Sequence, residues 1–259
     1  MKNNQIKILN LNIMHGRNVN NSVFPIFLKK ERVAKNIEEI ARLIKHENAD
    51  IVSLQEIDRN SLFTGNFDQL TELMKLTPYR YSFYGKHSSL SLGKKSIYEF
   101  GTAILSRYQI KNTYSRPFSF SFPTPRKGFV SAEIEHPYRK IHFASVHMVW
   151  LDYLRFHSRE KQAKNIIDYF SNYKNTPKII AGDFNCDFAG KEKTLHMLCD
   201  NLNLHTYLPQ KKIPTHPAVN PKVRIDWILA SKKFKFLNYT VLNDLLSDHL
   251  PVKADLLLK

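Results

Sequence analysis

The sequence predicts an α/β fold, and three patterns in it support that class. Short apolar runs bounded by Pro or Gly, such as residues 178–182, recur along the chain and are typical of strands buried on both faces. Residues 31–45 repeat apolar side chains at helical spacing, which indicates an amphipathic helix packed on a sheet. Polar residues directly follow several predicted strands, where α/β proteins commonly carry their chemistry.

Length and composition predict one folded domain spanning residues 1–259. The chain is 42% hydrophobic and 24% charged, as in ordinary globular proteins, and is long enough to bury a large core. Its two cysteines, Cys186 and Cys199, make neither a disulfide framework nor a zinc motif. The first five residues resemble no signal peptide, and no apolar stretch of about 18 residues occurs. We therefore expect a soluble, cytoplasmic monomer, although leaderless export would leave the same pattern.

The formal net charge of +16 would attract polyanions, either nucleic acid or an anionic membrane surface. The 39 Lys and Arg residues are spread over the whole chain, however, so codon bias explains them as well as a binding face does. The charge alone leaves both interpretations open.

In the first half of the chain, a strand over residues 6–13 carries Asn12 near its end. After the helix at 31–45, a strand over 50–55 ends at Glu56. The periodicity and breaker residues then predict a helix, a strand, an exposed loop and a further strand, at residues 67–76, 80–84, 86–96 and 101–106.

The second half places further polar residues at strand ends. Two antiparallel strands, 129–135 and 140–147, end at His147. The strand over 178–183 ends in Asp183, and Asn185 follows two residues later. The remaining predictions are helices at 156–173 and 193–202, an irregular segment at 208–224, a strand at 224–229 that contains Asp226, and strands at 234–241 and 252–258, the last preceded by Asp248 and His249.

Eight polar residues thus fall at or beside strand ends in at least six segments, and one sheet system could bring them together. They are Asn12, Glu56, His147, Asp183, Asn185, Asp226, Asp248 and His249. Hard oxygen ligands with imidazoles and no paired cysteines favour Mg²⁺ or Mn²⁺ over zinc. This set also suits phosphate ester hydrolysis, which needs a metal, a base for water and donors for the transition-state charge.

Six short motifs, in order along nearly the whole chain, resemble the endonuclease/exonuclease/phosphatase superfamily with its deoxyribonuclease I-like fold. They are Leu11-Asn12-Ile13, Leu54-Gln55-Glu56, residues 100–106 (FGTAILS), Gly182-Asp183-Phe184-Asn185, Arg224-Ile225-Asp226-Trp227 and residues 247–252 (SDHLPV). The resemblance is nearest to the compact stand-alone metal-dependent hydrolases of the superfamily. It implies a four-layer α/β/β/α sandwich of two packed mixed β-sheets flanked by helices, with the site at one rim.

The resemblance also implies a role for each residue. Glu56 would be the principal metal ligand, with Asn12 and Asp248 near the same ion. Asp183 would orient or deprotonate the attacking water, and Asn185 would hold a phosphate oxygen. His249 would contact the phosphate while Asp226 fixes its tautomer, and His147 would protonate the leaving oxygen or bind phosphate.

The function expected from these residues is Mg²⁺-dependent phosphodiester hydrolysis by in-line attack of an activated water, on a nucleic acid or a phospholipid head group. A diester is favoured because His147 offers an acid for an alkoxide leaving group. The alternatives are a phosphoinositide or other phosphomonoester phosphatase and, from another class, a catalytically silent nucleic-acid or membrane binding module.

Two further features bear on the substrate. The basic segments 86–95 and 211–224 suit a nucleic acid backbone and an anionic lipid equally. An apolar cluster after His147 would suit a lipid surface, although core packing explains part of it: Trp150, Leu151, Tyr153 and Leu154. Neither feature chooses between DNA, RNA, phosphoinositides and sphingomyelin.

Overall fold

Two six-stranded mixed β-sheets pack face to face, and helices cover both outer faces. The structure is a computed structural model that describes residues 4–21, 27–93, 95–121, 124–151, 157–190 and 192–259. Each sheet contains a single parallel pair, and its other neighbours are antiparallel. The predicted four-layer α/β/β/α sandwich is confirmed.

The first sheet has the strand order β11-β12-β1-β2-β4-β3. Its parallel pair, β1 and β2, lies in the middle, so both strands are buried on both faces, as their near-continuous apolar runs predict. The strands are β1 (Gln5–Asn12), β2 (Ile51–Asp58), β3 (Tyr81–Leu92), β4 (Lys95–Ser106), β11 (Phe234–Val241) and β12 (Val252–Leu258).

The second sheet has the order β5-β6-β7-β8-β10-β9, with β7 and β8 as its parallel pair. A Cβ at Gly182 would lie 2.0 Å from the carbonyl oxygen of Val146, so the close approach of β8 to β7 requires glycine there. The strands are β5 (Ile110–Pro117), β6 (Gly128–Ile134), β7 (Ile141–His147), β8 (Lys178–Asp183), β9 (Leu204–His205) and β10 (Asp226–Ser231).

Three apolar clusters hold the layers together. Ile8 and Ile104 of the first sheet pack against Phe143 and Ile228 of the second between the two sheets. The other clusters lie beneath the helices on each outer face. The helices are α1 (Lys30–Glu47) and α2 (Gln69–Leu76) over the first sheet, and α3 (Ser158–Phe170) and α4 (Thr194–Leu202) over the second.

The prediction of an exposed loop at residues 86–96 is wrong. Strands β3 and β4 continue through it as one long hairpin, with Leu90 paired to Tyr98 and Leu92 to Lys95. Leu90 and Leu92 are 52% and 78% exposed. Residues 89–92 of β3 are all exposed, so this end of the hairpin lacks the alternation that marks a half-buried strand. Backbone pairing with β4 defines the strand instead.

Candidate active site

Three of the predicted site residues lie side by side across the second sheet. His147 on β7 is the register partner of Asp183 on β8, and Asp226 on β10 pairs with Asp183 from the other side. All three are buried. The sheet register therefore fixes a row of an imidazole and two carboxylates at one edge.

The Asp183 carboxylate is the centre of this row. Its Oδ2 accepts a hydrogen bond from Asn12 Nδ2 at 3.2 Å and lies 3.4 Å from His147 Nε2 and 3.8 Å from His249 Nε2. Burial raises the pKa of Asp183, and the Asp226 charge raises it further, while His249 acts in the opposite direction. A carboxylate with raised proton affinity suits general-base chemistry near neutral pH.

His249 is held by Asp226 behind it. Its Nδ1 lies 2.9 Å from Asp226 Oδ2, which also accepts a 2.7 Å hydrogen bond from Thr215 Oγ1. Burial lowers the pKa of His249, but Asp226 and Asp183 outweigh that effect and raise it to about 10. The imidazolium directs Nε2–H toward Asp183, where a phosphate oxygen would accept it.

Asn185 follows Asp183 in a left-handed backbone conformation, with φ of 53°. Its backbone N–H donates to Asp183 Oδ1 at 2.9 Å, and its side-chain amide donates to the Met148 carbonyl at 2.9 Å. These two bonds fix the carboxylate of Asp183 and aim the Asn185 side chain into the cleft described below.

Glu56 lies within β2 of the first sheet, because β2 continues to Asp58 beyond the strand end predicted at Glu56. It lies on the side of His147 opposite Asp183. A bulge between Gln55 and Ile57 interrupts the pairing with β4, and Glu56 has φ of 54°, so the bulge redirects its side chain. Burial acts to raise the pKa of Glu56, but Lys127, His15 and His147 together hold it well below the usual range. Glu56 is therefore an ionised, largely buried carboxylate.

Lys127 and His15 also belong to the site, although the sequence did not identify them as site residues. Lys127 Nζ lies 3.0 Å from Glu56 Oε1, and His15 Nε2 lies 3.2 Å from Glu56 Oε2. His15 also bonds through Nδ1 to Asp58 Oδ1 at 2.6 Å. Two signals could have indicated them: His15 breaks the apolar pattern after β1, and Lys127 directly precedes β6, where Gly128 pairs with His147.

The pKa of His147 is held well below its usual range by burial and then by Lys127, although Glu56 acts to raise it. Its Nε2 lies 3.4 Å from Asp183 and 3.7 Å from Glu56. A neutral imidazole between two carboxylates can donate one hydrogen bond, which suits phosphate binding better than proton delivery to a leaving group.

These residues surround one cleft of about 560 Å³. Seven of the eight predicted residues line it, and Asp226 lies behind His249: the seven are Asn12, Glu56, His147, Asp183, Asn185, Asp248 and His249. Trp150, Val223 and Ile225 add apolar wall. Tyr153 and Leu154, predicted with Trp150 as lipid contacts, lie outside the described residues.

The oxygen atoms available as metal ligands in the cleft fit a hard divalent cation. Glu56 and Asp248 contribute carboxylate oxygens, which Mg²⁺ and Mn²⁺ prefer. Asn12 Oδ1 accepts from the backbone N–H of Met14 at 3.0 Å, which turns its Nδ2 toward Asp183. His216, which the sequence reading missed, groups with Asp248 and His249 within 4.8 Å. The Asp226 bond and the raised pKa of His249 favour hydrogen bonding over metal ligation by that imidazole.

A model of the endonuclease/exonuclease/phosphatase family matches residues 11–249. The chain belongs to this family. Members of the endonuclease/exonuclease/phosphatase family hydrolyse phosphoester bonds and generally depend on a divalent metal. No curated protein sequence matches the chain.

Solved structures share the fold at low sequence identity. An endonuclease/exonuclease/phosphatase from Beutenbergia cavernae is 18% identical with a TM-score of 0.79, over 98% of this chain and 72% of that one. A mannosyl-6-phosphatase from Bacteroides thetaiotaomicron is 20% identical, with a TM-score of 0.73 over 97% and 99% of the two chains. A humanized TDP2 from D. rerio is 15% identical, with a TM-score of 0.68 over 98% and 99%. These likenesses establish the fold alone.

None of the helices in the described ranges combines the length and the apolar character that crossing a bilayer requires.

Proposed function

We propose that this chain is a Mg²⁺-dependent phosphodiesterase that cleaves a P–O bond by in-line attack of an activated water. The observation that carries the proposal is the environment of Asp183, whose Oδ2 lies within 3.2 to 3.8 Å of Asn12, His147 and His249. A carboxylate with raised pKa beside an imidazolium is suited to accept a proton while a phosphate oxygen gains charge.

In this reaction Asp183 orients a water and takes its proton as the water oxygen bonds to phosphorus. His249, kept protonated by Asp226, donates Nε2–H to a non-bridging oxygen, and Asn185 and neutral His147 hold the phosphate. The electron pair of the broken P–O bond stays with the leaving oxygen, which takes a proton from solvent water, and Asp183 returns its proton to solvent. These positions leave Asp183 at one end of the in-line path and Glu56 at the other.

Glu56 and Asp248 would hold the metal, with Asn12 beside them. A divalent ion there would neutralise charge on the phosphate and the leaving oxygen. Lys127 Nζ lies 3.0 Å from Glu56 Oε1 and adds a positive charge at the same end. The protein itself would therefore also help to neutralise the charge on the phosphate and the leaving oxygen.

A diester is proposed because the cleft offers apolar wall beside the phosphate-binding groups. Trp150, Val223 and Ile225 line it together with Asp183 and Glu56, and substituents on both phosphate oxygens would need such surface. The low pKa of His147 weakens the argument that rested on it as a leaving-group acid. A nucleic acid and a phospholipid head group both remain candidate substrates, and a single-domain cytoplasmic monomer remains a prediction.

A phosphomonoesterase is the second candidate. One structural neighbour is a mannosyl-6-phosphatase, and the two cations Lys127 and His249 would suit a dianionic phosphate. A silent binding module is disfavoured, because binding alone requires neither the Asp183 contacts nor the Asp226–His249 pair.

Hydrolysis of bis-p-nitrophenyl phosphate and of p-nitrophenyl phosphate, each with Mg²⁺, separates these candidates. We expect the higher kcat/KM for the diester, and cleavage of the monoester alone would contradict the proposal. A panel of plasmid DNA, single-stranded RNA, phosphoinositides and sphingomyelin then identifies the substrate class. A nucleic acid substrate should also show KM rising steeply with salt.

A further inference from the structure

The end of the sandwich at which β1, β2, β7 and β8 finish surrounds the mouth of the cleft, and we call it the catalytic rim. Most of the exposed large apolar side chains in the described part of the chain lie on this rim. They are Phe27, Leu90, Leu92, Phe120, Trp150, Val219, Val223 and Leu245. Single exposed apolar residues are normal on a protein surface, whereas their concentration on one face marks an interaction surface.

The β3–β4 hairpin projects past the catalytic rim. Strand β4 pairs with β2 as far as the pair of Phe100 and Asp58. Beyond that point only β3 and β4 pair with each other, through Leu90 with Tyr98 and on to Leu92. Leu92 is 78% exposed and Leu90 is 52% exposed. The hairpin therefore presents two leucine side chains to solvent beyond the end of the first sheet.

Two further segments place apolar side chains at the cleft itself. Trp150 lines the cleft and is 58% exposed, while its carbonyl oxygen accepts a 3.1 Å hydrogen bond from Arg159 Nη1. Val223 also lines the cleft and pairs with His216 in an isolated β-bridge. That bridge closes the short turn that carries the exposed Val219. Backbone contacts thus hold these side chains at the mouth of the cleft.

The remaining members come from three other segments. Phe27 stacks at 5.1 Å on Phe63, which follows β2. Phe120 follows the end of β5, and Leu245 lies between β11 and β12. The exposed apolar side chains therefore surround the mouth of the cleft and do not form one continuous groove. Such an arrangement fits an extended surface such as a bilayer, whereas a bound helix or strand requires a groove or a sheet edge.

Basic side chains accompany the apolar ones on the catalytic rim. Exposed Lys29 and Lys30 closely follow Phe27, and exposed Lys222 directly precedes Val223. Lysine beside apolar residues is typical of surfaces that bind anionic lipids. The formal net charge of +16 adds a long-range attraction to such lipids, and it opposes the packing of a second copy of the chain on the same face.

The lining of the cleft favours a lipid over a nucleic acid. Four acidic residues line it, Glu56, Asp183, Asp187 and Asp248, whereas none of its lining residues in the described ranges is Lys or Arg. A nucleic acid would carry further phosphates on both sides of the scissile one, and these need cationic partners. A phospholipid can present one phosphodiester to the cleft while its acyl chains stay in the bilayer.

We propose that the catalytic rim docks on the surface of an anionic phospholipid bilayer and that the substrate is a phospholipid head group at that surface. Leu90, Leu92 and Trp150 enter the boundary between head groups and acyl chains, and the lysines contact anionic head groups. The choice of substrate rests on the proposed function and deepens it, whereas the docking surface rests on the exposed residues alone.

Cosedimentation with vesicles of phosphatidylcholine and phosphatidylglycerol tests the docking surface. Leu90→Ser/Leu92→Ser should weaken vesicle binding roughly 10-fold or more, because two leucine side chains no longer enter the bilayer. Tyr81→Ser/Leu237→Ser is the matched control, because both side chains are exposed away from the catalytic rim. Tyr81 pairs with Ser106 at the opposite end of the hairpin, and Leu237 lies on the edge strand β11. We expect the control to bind vesicles as wild-type protein does.

Hydrolysis of bis-p-nitrophenyl phosphate, which requires no surface, should proceed at the wild-type rate in both double variants and shows that their folds are intact. Vesicle binding should be weaker on phosphatidylcholine alone and should fall with salt. Wild-type affinity for mixed vesicles in Leu90→Ser/Leu92→Ser would overturn the inference. So would dimerisation in solution that depends on the two leucines while vesicle binding does not.

The two proposals fail separately. Wild-type protein that hydrolyses bis-p-nitrophenyl phosphate but binds no vesicles would overturn the docking surface and leave the proposed function standing. Wild-type protein that binds vesicles through Leu90 and Leu92 but hydrolyses no diester would overturn the proposed function and support the docking surface. Binding of duplex DNA that excludes vesicles and needs neither leucine would contradict the lipid assignment.

Discussion

The Asp183 end and the Glu56 end of the cleft are built differently. At the Asp183 end, side chains lie in register on adjacent strands of one sheet, with His147, Asp183 and Asp226 in a row. At the Glu56 end, a bulge and left-handed residues place the groups, since Met14, His15 and Glu56 all have positive φ. Regular pairing fixes His147, Asp183 and Asp226 at the first end, where the left-handed residue is Asn185, just past β8. Locally strained backbone, common at functional sites, places Glu56 and His15 themselves at the second.

The charges differ as well. At the Asp183 end, burial and the Asp226 charge raise the pKa of Asp183, and the Asp226 and Asp183 carboxylates raise the pKa of His249. The Glu56 end surrounds one carboxylate with cations that lower its pKa. The first arrangement suits proton transfer, and the second suits the metal ligation that we propose for Glu56. The predictions below probe this division of labour.

The largest effect is expected at the Glu56 end. Glu56→Gln should lower Mg²⁺-dependent kcat/KM by about 10³-fold or more, because it removes the charge that we propose holds the ion. Isothermal titration with Mn²⁺ should show weaker binding at the same time. Glu38→Gln, an exposed position on α1, is the matched control, and metal binding that is equally strong in Glu56→Gln would contradict the ligand assignment.

An intermediate effect is expected behind His249. Its pKa is about 10 in the folded protein, above the 6.5 of the unfolded chain, so the imidazolium stabilises the fold fully below pH 6.5 and that stabilisation is lost as pH rises through 10. Asp226→Asn removes the nearest carboxylate. We expect kcat to fall about 10²-fold and the alkaline limb of the pH–rate profile to move to lower pH.

The pH–rate profile distinguishes control of the His249 charge by Asp226 from a purely structural role of Asp226. If Asp226→Asn lowers kcat equally at every pH while thermal unfolding is unchanged, Asp226 does not control the charge of His249.

The smallest effect concerns Lys127. Removal of its ammonium beside Glu56 should strengthen cation binding, so Lys127→Met should raise Mn²⁺ affinity roughly fivefold, as expected for a coulombic interaction of about 1 kcal/mol. Calorimetry measures this directly, and Lys111→Met on the exposed face of β5 serves as the control. Weaker Mn²⁺ binding in Lys127→Met would mean that Lys127 instead holds Glu56 in position.

The central strands could be predicted from the sequence because burial on both faces leaves continuous apolar runs, as in β1, β2 and β8. The distal part of the β3–β4 hairpin could not, since Leu90 and Leu92 are exposed and backbone pairing alone defines it. A local sequence pattern reveals a strand through the burial of its side chains, and few side chains are buried at this end of the hairpin.

The candidate site divides in the same way. Acidic and imidazole residues at strand ends, such as Asp183 and Asp226, could be found because strand ends converge at a sheet edge. Lys127, His15 and His216 lie outside the named strands and α-helices, where the position of a side chain depends on tertiary contacts more than on local pattern. A smaller cavity likewise combines residues from four separate stretches of chain, with His15, Phe63, Tyr98 and Pro125 as examples.

The most direct test of the account is hydrolysis of bis-p-nitrophenyl phosphate by wild-type protein and by Asp183→Asn, with Mg²⁺ and after chelation. We expect chelation to abolish activity and Asp183→Asn to lower kcat by about 10³-fold with thermal unfolding unchanged. Asp168→Asn, on the exposed face of α3, should retain wild-type rates. Robust Mg²⁺-dependent hydrolysis in Asp183→Asn would contradict the assignment of Asp183 as the water-activating base.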